Sequence, residues 1–173
     1  SKPIGTGYLR AAYFNNSEML SSDDFEKVIK NLKMGNHFTV NSARSSGSNT
    51  MTDISGYGLS SHLIDICLSS NLSSELILNK NILINSNLDL LKLFKSTGFE
   101  NNYKSTSELV EVSEDHPLKN ILYDPQTNGP MLMAIEKKNK EKFENFFLNK
   151  LGNKPILIGK FINKLEKVIY VNE

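Results

Sequence analysis

Disulfide chemistry has almost nothing to work with in this chain. Its single cysteine is Cys67, so neither a disulfide framework nor a Cys-based zinc site can form within one copy, and a reducing, cytoplasmic setting is expected. Cys67 lies in an apolar stretch that reads as helix, where a thiol serves as a small buried hydrophobe. A dominant charge is also missing. The formal net charge is +1, which argues against a nucleic-acid or anionic-membrane partner. The lysines are scattered (Lys27, Lys30, Lys33, Lys80, Lys92, Lys137, Lys138), mostly where a solvated helix face is expected. No run of about 18 apolar residues occurs, so no segment reads as a membrane span. No charged-then-apolar leader opens the sequence, and no internal repeat or low-complexity tract is present. The triplets Asn15-Asn16-Ser17 and Asn71-Leu72-Ser73 match the glycosylation pattern, as an Asn-rich chain does by chance. His37 and His116 have no motif partner and receive no role.

What is present is an ordinary globular composition. Hydrophobic residues make up 39% and charged residues 23% of 173, enough for one domain with a real core. The stretch around which the rest is organised is Met51-Thr52-Asp53-Ile54-Ser55-Gly56-Tyr57-Gly58-Leu59-Ser60-Ser61-His62-Leu63. Its first part reads as a short strand, its glycines as a tight turn, and its end as a helix continuing through Cys67 and Leu68, with Ser60 or Ser61 as the cap. Gly56 and Gly58 open backbone angles closed to other residues and let another molecule approach the main chain. A carboxylate held just before such a turn, beside free N–H groups, suits a metal-bound phosphate. The competing role for Asp53 is to cap the turn. His62, on the apolar side of its helix, reads as a satisfied core or capping histidine.

Along the chain, Ile4 to Tyr13 reads as a strand. Ser21-Ser22-Asp23-Asp24 starts a helix whose apolar face is Phe25, Val28, Ile29 and Leu32, and Met34-Gly35 ends it. Residues 38–43 form a less marked segment, and residues 45–49 a loop. Leu76-Ile77-Leu78 and Ile82-Leu83-Ile84 read as strands. Asn87 caps a helix through Phe94 that Gly98 ends, and residues 114–122 suit a short helix. Asp124-Pro125 and Asn128-Gly129 mark a second organised turn, in which Asp124 is expected to bond its own backbone. Met131 to Ile135 reads as a strand covered on both faces. A Lys/Glu-rich helix follows, with Phe143, Phe146, Phe147 and Leu151 inward and Gly152 as its stop. Two closing strands lie at Ile156–Phe161 and Val168–Val171. The order indicates an α+β domain with a mixed sheet and packed helices.

Three segments together carry a family resemblance. Lys2-Pro3-Ile4-Gly5-Thr6-Gly7, Met51 to Leu63 and Leu122 to Ile135 resemble, in order, the Lys-Pro-Leu-Gly-Thr-Gly, Thr-Asp-Val-Thr-Gly-Phe-Gly and Phe-Asp-Pro-Gln-Thr-Ser-Gly-Gly blocks of the selenide, water dikinases, in the C-terminal half of that AIR-synthase-like family. Ile158-Gly159 resembles its closing strand. The resemblance implies that residues 1–173 form one layered α/β/α AIR-synthase C-terminal domain, without the N-terminal ATP-binding half. The whole enzyme it implies consumes ATP, selenide and water to make selenophosphate, with Mg²⁺ as cofactor, and is a homodimer. It further implies that Asp53 binds Mg²⁺, that Gly56 and Gly58 adjoin the nucleotide phosphates, and that Asp124 and Thr127 form a structural turn lining the site. No catalytic residue is assigned, and the isolated domain is expected to be inactive. The abrupt Lys2-Pro3 opening fits a cut-out domain, with Ser1 as a cloning remnant. Departures from the family pattern are Gly56-Tyr57-Gly58, Leu59-Ser60-Ser61-His62 and Asn128-Gly129-Pro130, where Pro130 removes an N–H and fixes an angle. Another AIR-synthase-like ATP-using enzyme and a non-catalytic binding module stay open as alternatives.

Overall fold

The first segment departs from expectation. In the computed structural model, which describes residues 1–15 and 18–172, the stretch expected as a strand is helix α1 (Thr6–Phe14). Only Ile4 keeps a strand-like contact, an isolated parallel bridge to Leu83. Tyr8, Leu9 and Ala12 fall on one buried helix face, and that 3.6-residue pattern outweighs the loose alternation of the sequence. Asn16 and Ser17 of the first glycosylation triplet lie outside the described residues.

Helix α2 (Ser22–Lys33) forms where its signals lie. Ser21 Oγ accepts from the Asp24 N–H, and Asp24 returns the bond to the Ser21 N–H, satisfying two otherwise orphaned donors. Met34 follows at the end of the helix in extended conformation. Helix α3 (His37–Ser45) leads through a loop to strand β1 (Met51–Asp53). Helix α4 starts earlier than expected, at Gly58, and runs to Ser69. Ser60 and Ser61 therefore lie inside it rather than capping it: Ser61 Oγ bonds back to Tyr57 O, and Ser60 Oγ meets Thr106 Oγ1 at 3.1 Å.

Strand β2 (Leu72–Ile77) follows, and a 3-10 turn at Lys80–Ile82 takes in the start of the strand expected at Ile82–Ile84, of which only Leu83 keeps a bridge, to Ile4. Helix α5 (Leu88–Leu93) is capped by Asn87, whose side chain accepts from the Asp89 N–H. Gly98 does not end that helix. It precedes α6 (Phe99–Thr106), after which come strand β3 (Val110–Glu111) and, in place of a full helix, a 3-10 turn at Lys119–Leu122. Strand β4 (Met131–Met133) is only half-buried, so it is not covered on both faces. Helix α7 (Lys140–Leu151) buries Phe143 and Phe147 and ends at Gly152, whose φ of 75° only glycine adopts freely. Strands β5 (Gly159–Asn163) and β6 (Ile169–Asn172) complete the chain.

The class is α+β. Among the described residues a mixed four-stranded sheet has the order β3-β6-β2-β5, with β2–β6 and β3–β6 parallel and β2–β5 antiparallel. A separate antiparallel pair joins β1 to β4, Thr52 opposite Leu132. The main core gathers Tyr8, Leu9, Leu59, Leu63, Leu90, Ile121 and Ile169 between helices and sheet, with Cys67 fully buried among them. Each such side chain contributes roughly 1.5–3 kcal/mol by leaving water. A satellite cluster of Ala43, Phe143 and Phe147 ties α3 to α7 beside the β1–β4 pair. No helix among the described residues is long and apolar enough to cross a membrane.

Candidate functional site

Three segments far apart in sequence close on one another around the end of β1. The chain leaves Asp53 through Ile54 into a turn in which the Gly58 N–H donates to Ser55 O at 3.0 Å. Gly58 takes φ 78°, and a Cβ there would stand 3.0–3.3 Å from backbone atoms of Leu122, Tyr123 and Asp124. Glycine is thus needed both for the angle and for the close packing of α4 against the second turn. His62 secures the bend from below. Its Nε2 accepts the Ser55 N–H at 3.2 Å and lies 3.2 Å from Ser55 Oγ, which places the ring proton on Nδ1. This is the satisfied histidine the sequence suggested.

The second turn is a clamp on α1. Gln126 Oε1 accepts from the Gly5 N–H (2.8 Å), the Thr6 N–H (3.2 Å) and Thr6 Oγ1 (3.3 Å), while its Nε2 donates to Asp124 O (2.9 Å) and Oδ2 (2.8 Å). Asp124 Oδ2 also accepts from the Gly7 N–H at 3.1 Å, and the Thr127 N–H donates to Thr6 Oγ1 at 2.9 Å. Glycine at position 7 makes this fit, because a Cβ there would stand 2.4 Å from Asp124 Oδ1 and Pro125 O. The orphan N–H groups that open α1 are therefore capped by residues more than a hundred positions away. Asp124 does not bond its own backbone as expected; it binds the helix and Gln126. It is 1% exposed, and burial pushes its carboxyl up to about 7 against the lowering effect of Gln126 and the Gly7 and Tyr8 N–H groups. Its Oδ1 has no hydrogen-bond partner among the described residues.

The last segment locks β1 in place. Ile54 N–H donates to Pro130 O at 2.8 Å, Gln126 N–H to Ser55 O at 3.1 Å, and a Cβ on Gly129 would lie 2.0 Å from Ile54 O. Asn128, in the left-handed region at φ 44°, donates to Leu32 O, and Asn36 donates to Gly129 O. The buried ammonium of Lys2 donates to Asn31 O (3.1 Å) and Met34 O (2.6 Å). It meets the negative end of α2 there, although burial lowers its pKa. Asn102 spans the two turns, donating to Gly56 O at 2.9 Å and Tyr123 O at 3.0 Å.

The expected site residues divide into two groups. Gly58 and Asp124 are buried in the joint, whereas Asp53, Gly56 and Thr127 are exposed beside it. Nothing lies within 4 Å of where a Cβ on Gly56 would be. Asp53's carboxylate has no hydrogen-bond or ion-pair partner among the described residues. Gln126, Thr6, Gly7, Asn102 and Gly129 had no assigned part, although Gly5-Thr6-Gly7 and Gln126-Thr127 stood in the quoted blocks. A cavity of about 670 Å³ between β4 and β5 is lined by none of the expected site residues.

Comparison with curated proteins finds relatives of these segments. Over 160 residues the chain is 32% identical to a protein of Shewanella sp. (strain MR-7) named selenide, water dikinase, covering 92% of this chain and 44% of that relative. Over 137 residues it is 36% identical to the selenide, water dikinase of Shewanella sp. (strain W3-18-1) and 35% to that of Shewanella baltica (strain OS155), in each case covering 78% of this chain and 38% of the relative. Over most of its length the chain is similar to these selenide, water dikinases. It spans less than half the length of these relatives. No family model matches it. The question of a metal turns on Asp53. No group of three or more His, Cys, Asp or Glu that could hold an ion occurs among the described residues. A single exposed, unpartnered carboxylate fits one oxygen ligand of Mg²⁺, which takes only one or two carboxylates alongside phosphates and waters. It does not make a complete site.

Proposed function

We propose that this chain is the C-terminal domain of an ATP-dependent selenide, water dikinase, making selenophosphate from selenide, ATP and water together with an N-terminal half of the same chain, in a homodimer. The supporting observation is the free Asp53 carboxylate at the rim of a joint built from all three family segments. In this reading Asp53 offers one carboxylate oxygen to Mg²⁺, and the joint holds it in position. Bound Mg²⁺ supplies charge neutralisation for phosphoryl transfer. The uncovered backbone at Gly56 leaves room for a phosphate to approach. Gly58, Asp124 and Gln126 act behind it by fixing the turn, and Thr127 lines the same rim. The domain alone, with one carboxylate, turns over no ATP.

The experiment is Asp53→Asn in the full-length protein, read by selenide-dependent AMP formation and by Mg²⁺-dependent ATP binding in calorimetry. Both are lost in the variant if Asp53 is a ligand, while stability stays within about 0.5 kcal/mol of the parent because the side chain is exposed and unpaired. Near-normal AMP formation would remove Asp53 from the site.

A further inference from the structure

Helix α2 leaves most of its apolar stripe uncovered. Phe25, Val28, Ile29 and Leu32 recur at helical spacing, yet the one buried residue of the helix is Asn31. Polar bonds moor it instead: Asn31 donates to Pro3 O at 3.0 Å, and Lys2 and Asn128 donate to the carbonyls of Asn31 and Leu32. Of the stripe, Val28 reaches the main core. Phe25 is 44% exposed and stacks on Tyr13 with ring centroids 5.0 Å apart, and Tyr13 meets the exposed Phe14 edge-on. Phe25, Ile29 and Met34 line a shallow open groove along the helix, with Glu26 toward its N-terminal end and Lys30 and Lys33 toward the other. None of these three charges forms an ion pair among the described residues. A contiguous exposed patch of aromatic and aliphatic side chains rimmed by charge marks an interaction surface.

The charges choose the occupant. A groove that is acidic at one end and basic at the other is complementary to itself run backwards. An anionic membrane is poorly served, because α2 carries three acids (Asp23, Asp24, Glu26) against three lysines (Lys27, Lys30, Lys33). We propose that α2 is a contact between two copies of this chain, paired antiparallel about a two-fold axis passing between Ile29 and Lys30. In that register Glu26 faces the partner's Lys33, and Phe25 faces the partner's Met34. Two-fold symmetry makes each pair twice. The thioether then lies against the Tyr13–Phe25 stack, and the aliphatic stem of Lys30 covers the partner's Ile29. Within one copy Glu26 and Lys33 stand two turns apart, about 10 Å along the axis, so they can pair only between copies.

Charge exchange in the full-length protein tests it. Glu26→Lys and Lys33→Glu each set like charges against one another twice, and each alone weakens concentration-dependent association in sedimentation velocity by at least about tenfold. An equimolar mixture of the two variants restores association, because the mixed species has an opposite-charge pair at both positions. In an equilibrated mixture of isotope-labelled and unlabelled parent protein, a carbodiimide joins Glu26 to Lys33 in peptides that carry different labels. Single variants that associate like the parent, or a mixture no better than its components, overturn the proposal. So does a Glu26–Lys33 cross-link that is absent or confined to like-labelled peptides. Slow hydrogen exchange around Phe25 at every protein concentration would place another part of the same chain over the stripe and overturn it too. Co-sedimentation of the parent with phosphatidylglycerol vesicles, lost in Phe25→Asp, would assign the patch to a membrane instead. None of these readouts involves ATP or selenide, so the contact and the proposed activity stand or fall separately.

Discussion

Replacing Gln126 tests whether the joint holds the fold together. Gln126→Ala removes the acceptor serving the buried Gly5 and Thr6 N–H groups and the donor serving Asp124. An orphaned buried donor costs about 1–3 kcal/mol, so two of them give a loss of about 2–6 kcal/mol, the lower end applying where water fills the hole. For a domain of this size, at about 2–4 °C per kcal/mol, that lowers Tm by roughly 4–24 °C. Gln126→Glu is the sharper probe. It keeps the acceptor but sets a carboxyl oxygen where Nε2 stood, 2.8 Å from Asp124 Oδ2. The two groups must then share a proton, and the folded pair holds it far above the usual carboxylate range near 4. Stability of this variant is therefore close to the parent at pH 4–5 and is lost as pH rises through and beyond about 7, where Asp124 already sits. Urea unfolding of both variants at pH 5 and pH 8 reads this directly. A cost below about 1 kcal/mol for Gln126→Ala, or a pH-independent difference for Gln126→Glu, would refute the role given to the clamp.

Other outcomes follow from the same geometry. The parent protein should itself lose stability as pH rises from about 4 to about 7, because the folded state binds a proton at Asp124 that the unfolded chain has released; Asp124→Asn flattens that slope in a plot of Tm against pH. Gly129→Ala drives a methyl into Ile54 O and should cost at least about 2 kcal/mol, and in the full-length protein it should weaken Mg-ATP binding by displacing Asp53. Calorimetry on that variant showing normal affinity would separate the Asn128–Pro130 loop from the site.

What was legible in the sequence had local causes. The helix start at Ser21-Ser22-Asp23-Asp24, the Asn87 cap and the Gly152 stop each act within a turn of the residue that signals them, and all three appear where expected. α1 was misread because nothing beside it caps it: its opening N–H groups are satisfied from Asp124 and Gln126. The start of α4 shifted for the same reason, being set by how closely Gly58 approaches Tyr123. The family blocks were visible as strings of residues. That they bond one another, leaving Asp53 outside and Asp124 inside, depends on contacts that no local pattern encodes.

The bond from Gly5 to Gln126 closes a loop of 121 residues. Such closure comes late, since nearby contacts form before distant ones. During synthesis the first helix must wait for nearly three quarters of this segment to emerge before its end is capped. Until then its buried face is left to transient partners, and early release or truncation ahead of Gln126 would deliver a chain whose joint cannot close.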